Sequence, residues 1–280
     1  PQRTGARVIP RPSASAHNAL GVCTSVFGHR LALSPAKLAS LVETGIPWIE
    51  ISALQTQHLN LFDAERVDEL VRSLKTMPIQ VWSLHAPFCG LAMDDADTRA
   101  DGLRSLRQSV RVAHRFGACR VVVHPGRDVP SVNVARELDW LVASLAQAAE
   151  DLPPGMMLAL ETMGPQSLAG PAEDLLAVIR QLDAARVGIC FDTGHVHIGA
   201  DPAAVAPLFA GRIVSVHLHD NHGDRDAHAL PGEGAIDWPA VVAALRDAGY
   251  AGPWMSEAGD ERLGPVEVVR EFQRRMTRHL

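Results

Sequence analysis

Lysine is nearly missing from this chain: Lys37 and Lys75 are the two in 280 residues, and neither ends a stretch that reads as a β-strand. A Schiff-base mechanism, which needs a lysine amine held in a pocket, therefore has little to build on. Tyrosine is scarcer still, with Tyr250 alone, so a surface that stacks nucleic-acid bases is poorly supplied. The net charge of −6 gives no basic footprint for a nucleic-acid partner, although a local basic groove stays open. The four cysteines, Cys23, Cys89, Cys119 and Cys190, form no CxxC pair. A chain of this length needs no disulfide framework, and they read as reduced, buried, small hydrophobes of a cytoplasmic protein. No apolar run approaches the roughly 20 residues of a membrane span. No GxGxxG follows a strand and no GxxxxGK[ST] is present, so a nucleotide fold has no positive support. Residues 1–18 are basic and Ser/Pro-rich without an apolar centre, which reads as a loose tail rather than a signal peptide.

The rest of the chain alternates short apolar stretches with amphipathic ones. The expected strands are Leu20–Phe27, Trp48–Ser52, Gln80–His85, Arg120–His124, Met157–Glu161, Val187–Asp192, Ile213–His219 and Trp254–Glu257. Between them lie helices with recognisable starts, such as Ser34-Pro35, Asp201-Pro202 and Asp237-Trp238-Pro239, each a capping residue with proline close behind. Thr98–Phe116 carries Leu103, Leu106, Val110, Ala113 and Phe116 on one stripe. Eight strand–helix repeats with no second composition regime predict one (β/α)₈ TIM barrel over residues 19–280. A doubly wound open sheet is the alternative.

In such a barrel the chemistry gathers where strands end and their following loops begin. Here those ends are His85, His124, Glu161, Asp192 with His195 three residues on, His217 with Asp226 and His228 in its loop, and Glu257. Parity supports them. Ser83, Ala159, Cys190 and Ser215, each two residues before a polar strand end, share its face, while Trp82, Leu84, Val121, Val123, Leu158, Leu160, Ile189, Phe191, Val214, Val216 and Leu218 form the set expected to face the helices. Any one strand-end histidine reads more readily as a satisfied structural residue than as a ligand. Six consecutive strands ending in His, Asp or Glu do not. Carboxylates gathered in one mouth repel one another unless a cation neutralises them, and a divalent metal ion, Zn or Mn, supplies that charge. Glu50 has inward parity, with substrate contact and a structural role both open. His29 is a candidate for the mouth, and Phe88 for an apolar wall of the pocket. His197, His219 and His222 are candidates for supporting or substrate contacts, and His17, His58, His114 and His279 are expected to be solvated.

These residues are the ones by which the chain resembles the xylose isomerase-like barrel superfamily, over about residues 20–275. HLHDNHGDRDAHALPGEGAIDW and AALRDAGYAGPWMSE look like the sugar isomerase and epimerase branch. That likeness implies a metal site of Glu161, Asp192, His217 and Glu257. His85 in HAPF, His124 in VVVHPG, His195 in DTGH, and Asp226 with His228 in DAH match the further ligands of the endonuclease IV branch, whose zinc site is trinuclear. The chain departs from both. Epimerases often place an arginine shortly before the PGEG-type turn, where this chain has His228, Ala229 and Leu230. The nucleases open on a Gly-Ala-His type of segment and carry a tyrosine after HAP, where this chain has GVCTS and Phe88.

What the resemblance implies is a metal-dependent enzyme with one to three ions per chain and a small sugar-like partner. The expected chemistry is isomerisation or epimerisation of a hydroxy-carbonyl compound, with Glu161 and Glu257 moving the proton. His195, His219, His228 and Phe88 are expected to contact substrate. The alternatives are a multinuclear zinc phosphodiesterase acting on abasic DNA, a sugar-acid dehydratase, and a non-catalytic carbohydrate- or metal-binding barrel. Self-association is left open.

Overall fold

The computed structural model describes residues 18–126 and 133–280. The tail expected over residues 1–18 lies outside them apart from Asn18, and so does His17. The strands are β1 (Leu20–Cys23), β2 (Trp48–Ser52), β3 (Gln80–His85), β4 (Arg120–Val123), β5 (Met157–Glu161), β6 (Val187–Asp192), β7 (Ile213–His217) and β8 (Trp254–Ser256). From β1 to β7 each strand pairs in parallel with the next, and β1 also pairs in parallel with β8. The remaining seam between β7 and β8 is closed by Leu218, which bridges to Ser256 and donates its N–H to the Met255 carbonyl at 2.8 Å. The chain is thus a (β/α)₈ barrel, with helices α1 (Pro35–Val42), α2 (Ala64–Leu74), α3 (Ala96–Phe116), α4 (Val134–Glu150), α5 (Ala172–Ile179), α6 (Thr193–His197), α7 (Pro202–Val205), α8 (Trp238–Asp247) and α9 (Pro265–Met276).

Local chemistry sets the helix starts. Ser34, Asp63, Asp95, Asp201 and Asp237 each accept a backbone N–H of the first turn, which satisfies a donor the helix leaves open. The apolar stripes then dock on the barrel. Leu106, Leu141 and Leu145 are fully buried, each contributing about 1.5–3 kcal/mol. Gly117 closes α3 in the left-handed region at φ 82°, where a glycine meets no Cβ penalty.

The structure corrects the parity reading at two positions. Between Ile49 and Glu50 the β2–β3 register shifts, so that Glu50 faces Ser83 and Trp82 is passed over. The extra residue turns Trp82 inward, where its indole donates to Ser215 Oγ at 3.3 Å and packs with Trp48, Cys119 and Met255. A similar shift between β6 and β7 passes over Val214, which packs inside the barrel against Val122, Ala159 and Cys190. The first strand is also shorter than expected. At Thr24 the side chain takes over the ladder, Oγ1 accepting the Ser52 N–H at 2.9 Å, and the chain turns into a 3-10 helix over Thr24–Phe27. His58 is buried rather than solvated, its ring held by the Leu31 carbonyl and Thr24 Oγ1.

Candidate metal centre and active site

Glu161, the last residue of β5, is the hub. It is fully buried, yet imidazoles contact both of its oxygens. Oε2 lies 3.0 Å from His85 Nε2 and 3.0 Å from His124 Nε2. Oε1 lies 3.0 Å from His217 Nδ1 and 3.6 Å from His195 Nδ1. One carboxylate therefore joins two sets of donors. The inner set, Glu161, Asp192, His217 and Glu257, has ligand atoms that all lie within 4.8 Å of one another.

An outer set lies nearer the mouth. His195, His219, Asp226 and His228 also offer ligand atoms within 4.8 Å of one another. Asp226 Oδ2 is 3.1 Å from His228 Nε2 and 3.4 Å from His195 Nε2. The inner and outer sets are tied through Asp192. As N-cap of α6, its Oδ1 accepts the His195 N–H at 2.7 Å and so fixes where that ring begins. Its two oxygens also lie 2.9 and 3.0 Å from His219 Nε2. The His219 ring needs space that a side chain at residue 194 would take, since a Cβ on Gly194 would stand 2.0 Å from His219 Cε1. Gly194→Ala is therefore expected to displace His219 and cost about 1–3 kcal/mol through overpacking, checked by urea unfolding beside a metal titration. Wild-type behaviour in both would refute that constraint.

The electrostatics suit a cation. Burial works against ionising Glu161, but the charges of His124 and His217 outweigh it and hold the carboxyl well below the usual range. Burial likewise disfavours a charged His85, yet its hydrogen bond to Glu161 and the nearby carboxylates raise it to about 9. His228 rises to about 9 for the same kind of reason, with Asp226 opposing burial. His195 and His217 are raised as well, and Asp192 and Asp226 are lowered. Protonated imidazoles thus supply the counter-charge that a divalent ion would bring, and ligation would replace those protons. The donor types fit such an ion, and Glu257 Oε1 and His219 Nδ1 are buried atoms without a hydrogen-bond partner. Cys23 also lies near Glu50 and Glu257, but burial pushes its thiol well up, away from the thiolate that binds metal.

The structure brings all nine expected ligands into this one cluster. It also places the substrate candidates. Phe88 sits in the loop after β3 with 40% of its surface exposed, whereas His219 is fully buried with its Nε2 against Asp192. His29 is exposed on the rim, within electrostatic reach of Glu257, His228 and His85.

Asp220 was not expected. Its Oδ1 accepts the N–H groups of Asn221 and Ile236, and its Oδ2 accepts the Gly232 N–H and the Trp238 indole. This buried carboxylate pins the whole PGEGAIDW loop to the end of β7. Its one sequence signal was its place beside His219 in a dense polar run. Asp220→Ala leaves four donors unpaired, each costing about 1–3 kcal/mol before water enters. A loss of about 3 kcal/mol in urea unfolding is expected, with Asp220→Asn intermediate. Unchanged stability would refute the pinning role.

With this geometry in view, the family is clear. The chain belongs to the xylose isomerase-like TIM barrel family, which matches residues 38–279. It is 32% identical over 203 residues to an uncharacterized protein of Methanocaldococcus jannaschii, covering 68% of this chain and 69% of that one. It is 26% identical over 216 residues to a probable endonuclease 4 of Mycobacterium bovis, covering 74% and 83%. Among solved structures, a D-tagatose 3-epimerase-like protein superposes with a TM-score of 0.79 at 25% identity, covering 93% of this chain and 98% of that one. An IOLI protein with a bound zinc atom superposes with a TM-score of 0.81 at 20% identity, over 93% and 97%. No helix among the described residues is long and apolar enough to cross a membrane.

Proposed function

We propose that this chain is a divalent-metal-dependent isomerase or epimerase of a sugar-like hydroxy-carbonyl compound. The observation that carries the reading is the inner set, Glu161, Asp192, His217 and Glu257, gathered within 4.8 Å at the end of the barrel strands. A divalent ion held by these four side chains supplies positive charge beside the oxygens of such a compound, which favours loss of a proton from the neighbouring carbon.

The residues divide the remaining work. Glu257 has one oxygen 3.5 Å from His217 Nδ1 and the other without a partner, so it is the freer acceptor and takes the proton. Glu161 comes from β5, three strands away around the barrel, and attends to the opposite side of the carbon. His195, His228 and Asp226 lie where substrate hydroxyls arrive and offer both donors and acceptors. Phe88 gives the rim an apolar surface. The D-tagatose 3-epimerase-like neighbour supports this assignment.

The second reading is phosphoester hydrolysis at more than one metal ion, the chemistry of an abasic-site nuclease. The contact of Glu161 with two sets of imidazoles favours it, and so does the likeness to a probable endonuclease 4. The test is to incubate metal-loaded protein with a panel of ketoses in deuterated water and follow the sugar carbons by NMR. Deuterium entering next to the carbonyl is expected. Cleavage of abasic-site DNA without exchange in any ketose overturns the reading and promotes the second.

A further inference from the structure

We propose that Glu50 is the positioning residue of the metal centre: it fixes the tautomer of His217 and so aims Nδ1 at the inner set. This rests on the reading that His217 holds the metal, which both functional readings share.

Glu50 lies on β2 and His217 on β7, far apart in the sheet order, and they meet inside the barrel. The Glu50 side chain is fully buried and does not reach solvent. His217 Nε2 lies 3.1 Å from its Oε2 and 3.0 Å from its Oε1. The opposite ring nitrogen, Nδ1, lies 3.0 Å from Glu161 Oε1, 3.5 Å from Glu257 Oε2 and 3.8 Å from Asp192 Oδ2. A neutral imidazole carries one N–H, and an ionised carboxylate can only accept. Against Glu50 the proton must therefore sit on Nε2, which leaves the Nδ1 lone pair facing the donors of the inner set. A carboxylate behind a ligating histidine sets ring orientation and basicity in this way.

Glu50 is itself held. The Ser83 hydroxyl donates to its Oε2 at 2.6 Å. That contact exists because the register shift at Ile49/Glu50 brings Ser83, rather than Trp82, beside Glu50. The irregularity in the sheet thus has a consequence in the site. An isolated carboxylate at this depth is costly, and the imidazole and the hydroxyl are the donors that compensate it. The His217 ring is also confined by His85, stacked at 5.6 Å between centroids and 18° between planes.

The experiment measures zinc affinity by chelator competition in wild type, Glu50→Gln, Glu50→Leu, Ser83→Ala and His217→Ala, with the imidazole tautomer read by nitrogen-15 NMR. Glu50→Leu is expected to weaken zinc binding about 10- to 100-fold, while the number of ions bound at saturation stays the same. Glu50→Gln, which keeps an oxygen toward Nε2, recovers part of that loss, and Ser83→Ala shows a smaller one. Zinc-loaded wild-type protein is expected to carry the remaining His217 proton on Nε2, a measurement that holds even where a variant fails to fold. The Nδ1–H tautomer in zinc-loaded wild type, or wild-type affinity in Glu50→Leu while His217→Ala loses it, overturns the proposal. Wild-type affinity in His217→Ala instead refutes the metal reading beneath it.

Discussion

Glutamine in place of Glu161 is expected to abolish turnover while leaving the barrel folded. The carboxylate lies 3.0 Å from His85, His124 and His217 at once, using both oxygens. A carboxamide keeps one oxygen and turns an NH₂ group toward whichever imidazoles face its other end. Those rings then meet a donor where they met an acceptor, and the hub loses its negative charge. Removal of a general acid or base alone is typically worth about 10² to 10⁴ in rate, and weaker metal binding adds to it. The fold should persist because the apolar core rests on residues elsewhere, such as Leu141, Val187, Ile189 and Phe272. Turnover of the substrate found in the exchange assay, elemental analysis and circular dichroism together provide the check. Near-normal turnover, or loss of the native dichroism, would refute the assignment of Glu161 to the site rather than to the core.

The barrel was legible because its signal is repetitive. Strand–helix alternation over the chain is averaged across many residues, and one misjudged end does not disturb it. The clustered polar residues were legible because a polar residue ending an apolar strand stands out, as Glu161 does after MLAL. What escaped was everything that depends on one residue of register. A period of two runs straight through a bulge, so Trp82 and Val214 were set on the helix-facing side when the sheet turns them inward. Partners distant in sequence escaped for a different reason. Glu50 and His217 are 167 residues apart, and neither parity nor spacing says that two strands on different sides of a barrel aim at one point. Asp220 was hidden by its company, because a carboxylate that staples a loop looks in sequence like one more ligand. His58 likewise looked like any loop histidine until Thr24 and Leu31 closed around it.

The same limit explains why family membership does not name the reaction. Across this fold the strand ends are shared and the loops differ. The inner set is what a proton-transfer enzyme requires. The side set of His85 and His124 and the outer set of His195, His219, Asp226 and His228 are more than it requires. Neighbouring carboxylates raise His85, His195 and His228, and charges gathered this way are costly to keep in a protein without a use. The outer residues can serve substrate hydroxyls or further ions, and the donor atoms are the same in either case.

The number of ions bound separates these possibilities, and more than one per chain is expected when zinc is supplied. Zinc is commonly held by three or four protein ligands. The inner set offers four residues, and the outer set offers four more that do not overlap it. A second ion would thus find its own donors without taking any from the first. Metal that binds only the folded chain stabilises it by about 2.7 kcal/mol per site at 100 times its dissociation constant. For a chain of this size that corresponds to roughly 5–10 °C in Tm for each ion. Thorough chelation should therefore lower the Tm by at least that amount, and Zn²⁺ or Mn²⁺ should restore it. Asp226→Ala should remove one ion and one increment of Tm while leaving the inner ion in place. Elemental analysis and thermal melts on the same samples make the check. A single ion in wild type, unchanged by Asp226→Ala, would mean that His195, Asp226 and His228 are substrate contacts. No metal after loading, with no shift in Tm on chelation, would overturn the metal centre itself.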